Sequence, residues 1–219
     1  VSPSQAFPIP DAVTFEEAAF AEPVACCIRS LKRVGLRLAE DLLVIGAGPM
    51  GQMHVLVASR MGARVFVSDP DASRSAMALR LGAVAAVDPT GGALAALVKE
   101  RTDGRGVDAC VVTSPAPAAL EAAFASISKT GRVNIYTAYA AKTAIPVDAN
   151  VLHRSEYAVT GTEGRTERDF YQAVRLLSFG MVDVKPLISR TVGFAGLEAG
   201  IRAAIARDGY RVLLAHDGP

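Results

Sequence analysis

Short apolar runs and amphipathic stretches alternate along most of this 219-residue chain. Residues 42–45 (Leu-Leu-Val-Ile) are apolar without alternation, the pattern of a strand buried on both faces. From Met50 onward Met53, Val57 and Met61 recur at helical spacing, and Gly62 is a natural stop. The alternation continues with a strand over 64–68, a helix over 72–81 closed by Gly82, a strand over 84–88 and a helix over 93–101. A turn at 103–106 then leads to a strand over 107–112, a helix over 118–128, and strands over 131–136 and 155–160. Strands that alternate with helices predict an α/β fold with a doubly wound parallel six-stranded sheet. The expected strand order is 3-2-1-4-5-6, with a ligand crevice at the carboxyl ends between the first and fourth strands.

The two ends of the chain depart from this rhythm. Residues 1–12 are proline-rich and expected to be extended. Thr14 and Glu17 have the spacing of a capping box, which predicts a short helix through residue 20. Glu22-Pro23 is expected to break that helix, and a second one follows with Val24, Cys27, Ile28, Leu31 and Val34 on one face. At the other end, 166–179 reads as an amphipathic helix closed by Gly180, 186–192 as extended, 196–207 as helical and 210–215 as a last strand. These segments do not continue the six-stranded sheet. The expected organisation is a joining segment over 1–35, a dinucleotide-binding unit over 36–163, and a segment over 164–219 that packs on a further lobe.

The candidate chemistry lies where the first strand meets its helix. Gly46, Gly48 and Gly51 form G-x-G-x-x-G, with Pro49 where a first helical turn accepts proline. In such a turn one glycine permits the bend, the next lets backbone approach a pyrophosphate, and the third lets helix and strand pack closely. The free N–H groups of the helix start then face the phosphates. Asp69 ends the second strand at the distance expected of a carboxylate that binds ribose hydroxyls. That carboxylate would repel a 2′-phosphate: unit charges at about 4 Å and an effective dielectric of about 20 interact by about 4 kcal/mol. The expected cofactor is therefore NAD rather than NADP.

Composition narrows the remaining classes. Hydrophobic content is 51% and net charge +1, so nothing points to nucleic acid or an anionic membrane as partner. No apolar run reaches the ~18 residues that span a bilayer, and no charged apolar leader is visible, so a cytoplasmic location is expected. Cys26, Cys27 and Cys110 form neither a disulfide framework nor a C-x-x-C zinc pattern. His54, His153 and His216 are scattered without metal spacing. The chain opens on Val-Ser-Pro-Ser-Gln rather than methionine, which reads as the middle of something longer.

Taken together, 15–23 (Phe-Glu-Glu-Ala-Ala-Phe-Ala-Glu-Pro), 44–51, Ser68-Asp69 with Arg74, 81–83, 104–108, 161–165 and 182–188 resemble one family in order and spacing. It is the zinc-type medium-chain alcohol and polyol dehydrogenases, in the branch of the sorbitol and threonine dehydrogenases. The resemblance implies a Rossmann cofactor domain flanked by remnants of a GroES-like catalytic lobe. It assigns Gly46, Gly48, Pro49, Met50 and Gly51 to the pyrophosphate turn, Asp69 to the ribose, and Arg74 to the adenosine end. It sets Thr113 and Ser114 beside the nicotinamide, Arg165 on a loop that approaches the cofactor, and Glu22 at the catalytic zinc. It further implies a small alcohol or polyol substrate, hydride transfer to the nicotinamide, and a homodimer or homotetramer.

The zinc cysteine, the Gly-His-Glu segment and the four-cysteine lobe of that family, all of which precede the Glu-Pro motif, have no counterpart here. No catalytic residue is therefore assigned within this segment, zinc is expected only in the full-length family member, and Glu22 alone does not hold a metal. Tyr136-Thr137 also stand where the family often has glycine. Two readings remain open: the cofactor half of an NAD-dependent alcohol dehydrogenase, and a stand-alone NAD-binding module without dehydrogenase activity. An apolar, unpartnered surface on the terminal segments favours the first.

Overall fold

The computed structural model describes residues 6–216, so the first five residues of the segment expected to be extended lie outside it. Six parallel strands form the main sheet: β1 (Asp41–Ile45), β2 (Arg64–Ser68), β3 (Ala85–Val87), β4 (Val107–Val112), β5 (Ile127–Ile135) and β6 (Ala158–Gly161). Their order is β3-β2-β1-β4-β5-β6, the doubly wound arrangement expected. All five residues of β1 are buried, as a central parallel strand covered on both faces must be.

Each face of the sheet is covered by its own layer. On one side lie α2 (Ala21–Arg33), α3 (Pro49–Arg60), α4 (Ala72–Leu81) and α8 (Glu167–Ser178), in a core with Leu42, Val44, Val65 and Val67. On the other, α5 (Leu94–Arg101) and α6 (Pro117–Ser126) pack on Leu43, Ile45, Phe66, Cys110 and Val112. Leu31 and Cys27 of α2 and Ala173 of α8 are fully buried in the first core. Packing is thus continuous across residues 35 and 163.

Local chemistry accounts for most boundaries. Helix α1 (Phe15–Ala18) has the Thr14–Glu17 capping box in place. Asp71 caps α4 through the Ser73 and Arg74 N–H groups, and Gly82 ends it at φ +116°. Thr166 and Asp169 form a second capping box on α8. The expected break at Glu22-Pro23 is displaced: both residues sit in the first turn of α2, where proline's missing N–H is one that the helix leaves unpaired anyway.

The expected strand over 155–160 is also corrected. Ser155 closes a short helix, α7 (Ala149–Ser155), capped by Asp148, and β6 begins only at Ala158. Strand β5 starts at Ile127 and carries an irregularity, so that Val107 faces Ile127 but Ala109 faces Arg132. The C-terminal segment forms β7 (Ile188–Val192), α9 (Leu197–Ala206) and β8 (Arg211–Leu214), a two-stranded parallel sheet separate from the first.

Candidate cofactor site

The turn from β1 into α3 is held by glycines that play different parts. Gly46 has φ +101°, and a Cβ there would lie 2.6 Å from the Thr113 hydroxyl. At Gly51 a Cβ would run into the Gly46 carbonyl, so the close crossing of helix and strand requires glycine. Gly48 differs. Its φ is −67°, and a Cβ would meet nothing within 4 Å. Neither backbone strain nor a neighbouring atom of the protein requires glycine at that position.

Gly48 caps α3 without a side chain, Pro49 has no N–H, and no side chain covers the first turn. The N–H groups of Met50 and Gly51 have no intrahelical acceptor and sit at the positive end of the helix dipole. The open space at Gly48 and this bare helix start together fit a dinucleotide pyrophosphate.

Asp69 is buried at the end of β2 and is tied to the turn. One carboxylate oxygen accepts the Ala47 N–H at 2.7 Å, the other the Asp71 N–H at 2.9 Å. Each oxygen keeps lone-pair capacity for a further donor such as a ribose hydroxyl. The Arg74 guanidinium pairs with Asp71 at 3.7 Å, and among the described residues no cation forms an ion pair with Asp69. Thr113 donates to the Ile45 and Gly46 carbonyls at 3.1 and 2.9 Å, so its hydroxyl braces the glycine turn from β4. Ser114 donates its backbone N–H to the Ile45 carbonyl, and its hydroxyl accepts from Ala116.

Glu22 and Arg165, assigned to metal and cofactor in turn, face each other. Arg165 Nε lies 3.7 Å from the Glu22 carboxylate, and its guanidinium lies over the Phe170 ring. Glu22 also accepts from the Cys26 thiol at 3.4 Å. Burial, helped by that carboxylate, pushes the Cys26 pKa up to about 11, so the thiol stays protonated at neutral pH. A protonated thiol is a poor metal ligand. Among the described residues no three His, Cys, Asp or Glu side chains converge as a metal ion requires. The residues in this segment do not fit a zinc site.

Arg211 stands beside the glycine turn, a placement that strand periodicity did not reveal. It enters from β8, its Nη2 3.3 Å from the Met50 sulfur in the first turn of α3, and its buried Nε has no hydrogen-bond partner among the described residues. With Glu22, Pro23 and Phe20 it lines a cavity of about 210 Å³. The Gly-Tyr-Arg start of the last strand was the available signal, but only the fold brings it beside residue 50. His54, one turn further along α3, is fully buried, donates its Nδ1–H to the Met50 carbonyl (2.8 Å), and stacks edge-on against Tyr136. Burial lowers its pKa to about 4, so it is neutral at physiological pH.

The sheet order and the glycine turn define a Rossmann unit. The family model described as zinc-binding dehydrogenase matches residues 49–178, and the chain belongs to that family. It is 31% identical over 185 residues to D-arabitol-phosphate dehydrogenase of Enterococcus avium, covering 83% of this chain and 52% of that one. To sorbitol dehydrogenase of Bacillus subtilis it is 30% identical over 184 residues, with 84% and 52% covered. The chain therefore spans about half the length of these relatives. Among solved structures, a zinc-binding dehydrogenase of Sinorhizobium meliloti bound to NADP superposes with a TM-score of 0.87 at 23% identity (95% and 61% covered). An alcohol dehydrogenase of Escherichia coli CFT073 complexed with NADH superposes at 0.89 and 22% (98% and 64% covered). Both show the fold.

Proposed function

We propose that this chain is the cofactor-binding part of an NAD-dependent alcohol or polyol dehydrogenase. The observation that carries the reading is the open space at Gly48 above a bare helix start, facing the buried Asp69. Support comes from the polyol dehydrogenases among its relatives and from neighbours bound to NADP and NADH.

The chain's own residues do the following. The Met50 and Gly51 N–H groups and Arg211 hold the pyrophosphate, and Asp69 accepts the ribose hydroxyls. Arg74 flanks the adenosine, Thr113 and Ser114 border the nicotinamide, and the Glu22–Arg165 pair closes the side towards the substrate. The nicotinamide, when bound, supplies the hydride acceptor. Zinc and its ligands belong to residues outside this sequence, as do the contacts that select the alcohol.

An apolar face on the last segment favours this reading over a free-standing module. Phe194, Leu197, Ile201, Ile205 and Leu214 are all exposed, Ile205 at 76%. Such a surface calls for a cover, which we assign to the rest of a longer chain, with the segments before residue 36 and after 163 joining the two. A cytoplasmic homodimer or homotetramer completes the proposal.

The test is calorimetric titration of the full-length protein with NADH and NADPH, followed by turnover on a panel of polyols and secondary alcohols. NADH is expected to bind at least tenfold tighter, since a tenth of the binding constant corresponds to only about 1.4 kcal/mol. Equal or tighter NADPH binding removes the cofactor assignment. Cofactor binding without turnover of any alcohol supports the stand-alone module.

A further inference from the structure

Gln52 is an unusual residue to find where it is. It follows the last glycine of the turn, lies in the first turns of α3, and is fully buried. A glutamine side chain loses much rotamer freedom on burial and needs partners for its amide. Its Nε2 has two, the Ala47 carbonyl at 3.0 Å and the Arg74 carbonyl at 2.8 Å, while its Oε1 has none among the described residues. Two carbonyl acceptors fix which way the amide points, because a flipped amide would set its oxygen against both.

Those two carbonyls belong to the two halves of the candidate site. Ala47 lies inside the glycine turn, and its N–H is already bound by Asp69. Arg74 lies in the first turn of α4, where Asp71 caps the helix and is itself bound to Asp69. Gln52 and Asp69 thus join the same two segments from opposite sides, one with donors and one with acceptors. We propose that Gln52 is a positioning residue that sets the distance between the pyrophosphate turn and the ribose anchor. It touches no ligand; it acts through Ala47 and Arg74. This rests on the dinucleotide reading above.

The consequence is selective. A ligand that spans both halves depends on their spacing, whereas one that occupies a single half does not. Gln52→Met keeps the side chain's length and shape and removes both donated hydrogen bonds. In the full-length protein, NADH affinity is expected to fall about tenfold in this variant, and the affinity for adenosine, which has a ribose but no phosphate, by less than threefold. Thr102→Val serves as the control. Thr102 is also fully buried and donates to the Val98 carbonyl while accepting from Gly106, at the far end of β4. It should lose comparable thermal stability with unchanged affinity for either ligand.

Gln52→Leu provides a second variant if the first does not fold. A reading that needs no variant is the exchange rate of the Gln52 side-chain amide protons by NMR, expected to be slow. Unchanged NADH affinity, equal losses for NADH and adenosine, or fast exchange of those protons overturns the positioning role and leaves the cofactor assignment standing. Failure of the wild-type protein to bind either NADH or NADPH overturns both.

Discussion

Two glycines in one motif respond to substitution in different ways. Gly48→Ala meets no neighbouring atom and no backbone strain, so its cost is confined to the N-cap, where alanine is poorer than glycine by roughly 1 kcal/mol, and the melting temperature is expected to fall by only a few degrees. The same variant should bind NADH at least tenfold more weakly, because the methyl group fills the space left for phosphate. Gly51→Ala, whose Cβ collides with the Gly46 carbonyl, is expected to lose both stability and binding. Thermal denaturation and NADH titration of the two variants side by side check this contrast. Glycine spacing alone identified the motif but not this division of labour, because the difference lies in what stands opposite each Cα. Gln52 and Arg211 were illegible for a similar reason: their partners, Arg74 and Met50, are distant in sequence.

His54 carries a pH dependence at the same scale. Its folded pKa, about 4, lies below the ordinary value near 6.5, so the unfolded chain binds the proton more readily. Its contribution is fully present above pH ~6.5 and is lost as pH falls from there towards 4. The loss is on the order of 3 kcal/mol across that window. Urea unfolding between pH 7.5 and 4 should show that slope, and His54→Phe should flatten it.

Among the elements, α2 and α8 show how one buried carboxylate can join two helices. Asp169 caps α8 through Thr166 and receives Lys32 of α2 at 2.5 Å, with Arg29 at 3.8 Å. Burial alone would raise its pKa. The hydrogen bonds from Lys32 and Thr166 outweigh that and hold it below the ordinary value. The stability it supplies is present above about pH 4 and is lost as pH falls below that. Asp169→Ala is expected to cost about 1–3 kcal/mol, below the roughly 3–5 kcal/mol of a fully buried pair because Lys32 is partly exposed. Equilibrium unfolding of Asp169→Ala and Lys32→Met, alone and combined, measures the pair.

Elements with strong local signals were readable: the strands of β1 and β2, the capped α4 and α8, the order of the sheet. Helix α7 was not. Its seven residues bury no side chain and show too short a period, so 149–154 carry no helical signal and only Ser155 reads as the start of a strand. Pro23 misled in the opposite sense, since proline ends one helix and starts another with equal ease.

The whole molecule has an unfinished side. The exposed Phe194, Leu197, Ile201, Ile205 and Leu214 sit on a small sheet, a helix that has one buried residue, Gly200, and the turn before that helix. In the 219-residue chain expressed alone, Ile201→Lys with Ile205→Glu is expected to reduce dye binding and self-association. In the full-length protein the same pair should lower the melting temperature. Dye fluorescence and light scattering on both forms give the comparison. This surface was legible only as a break in the strand–helix rhythm, since periodicity says which face is apolar and not what covers it.

The amino ends of the strands carry a different kind of chemistry from the carboxyl ends. Asp41 pairs with Arg64 and Arg105, Asp108 accepts the Asp41 N–H, and Glu40 holds Arg132. Next to this lattice lies the exposed turn of Asp103 and Gly104, a sheet's length away from the glycine turn. A fluorophore or a surface tether attached there would leave the crevice clear. The protein could then be immobilised for flow measurements with its binding face outward.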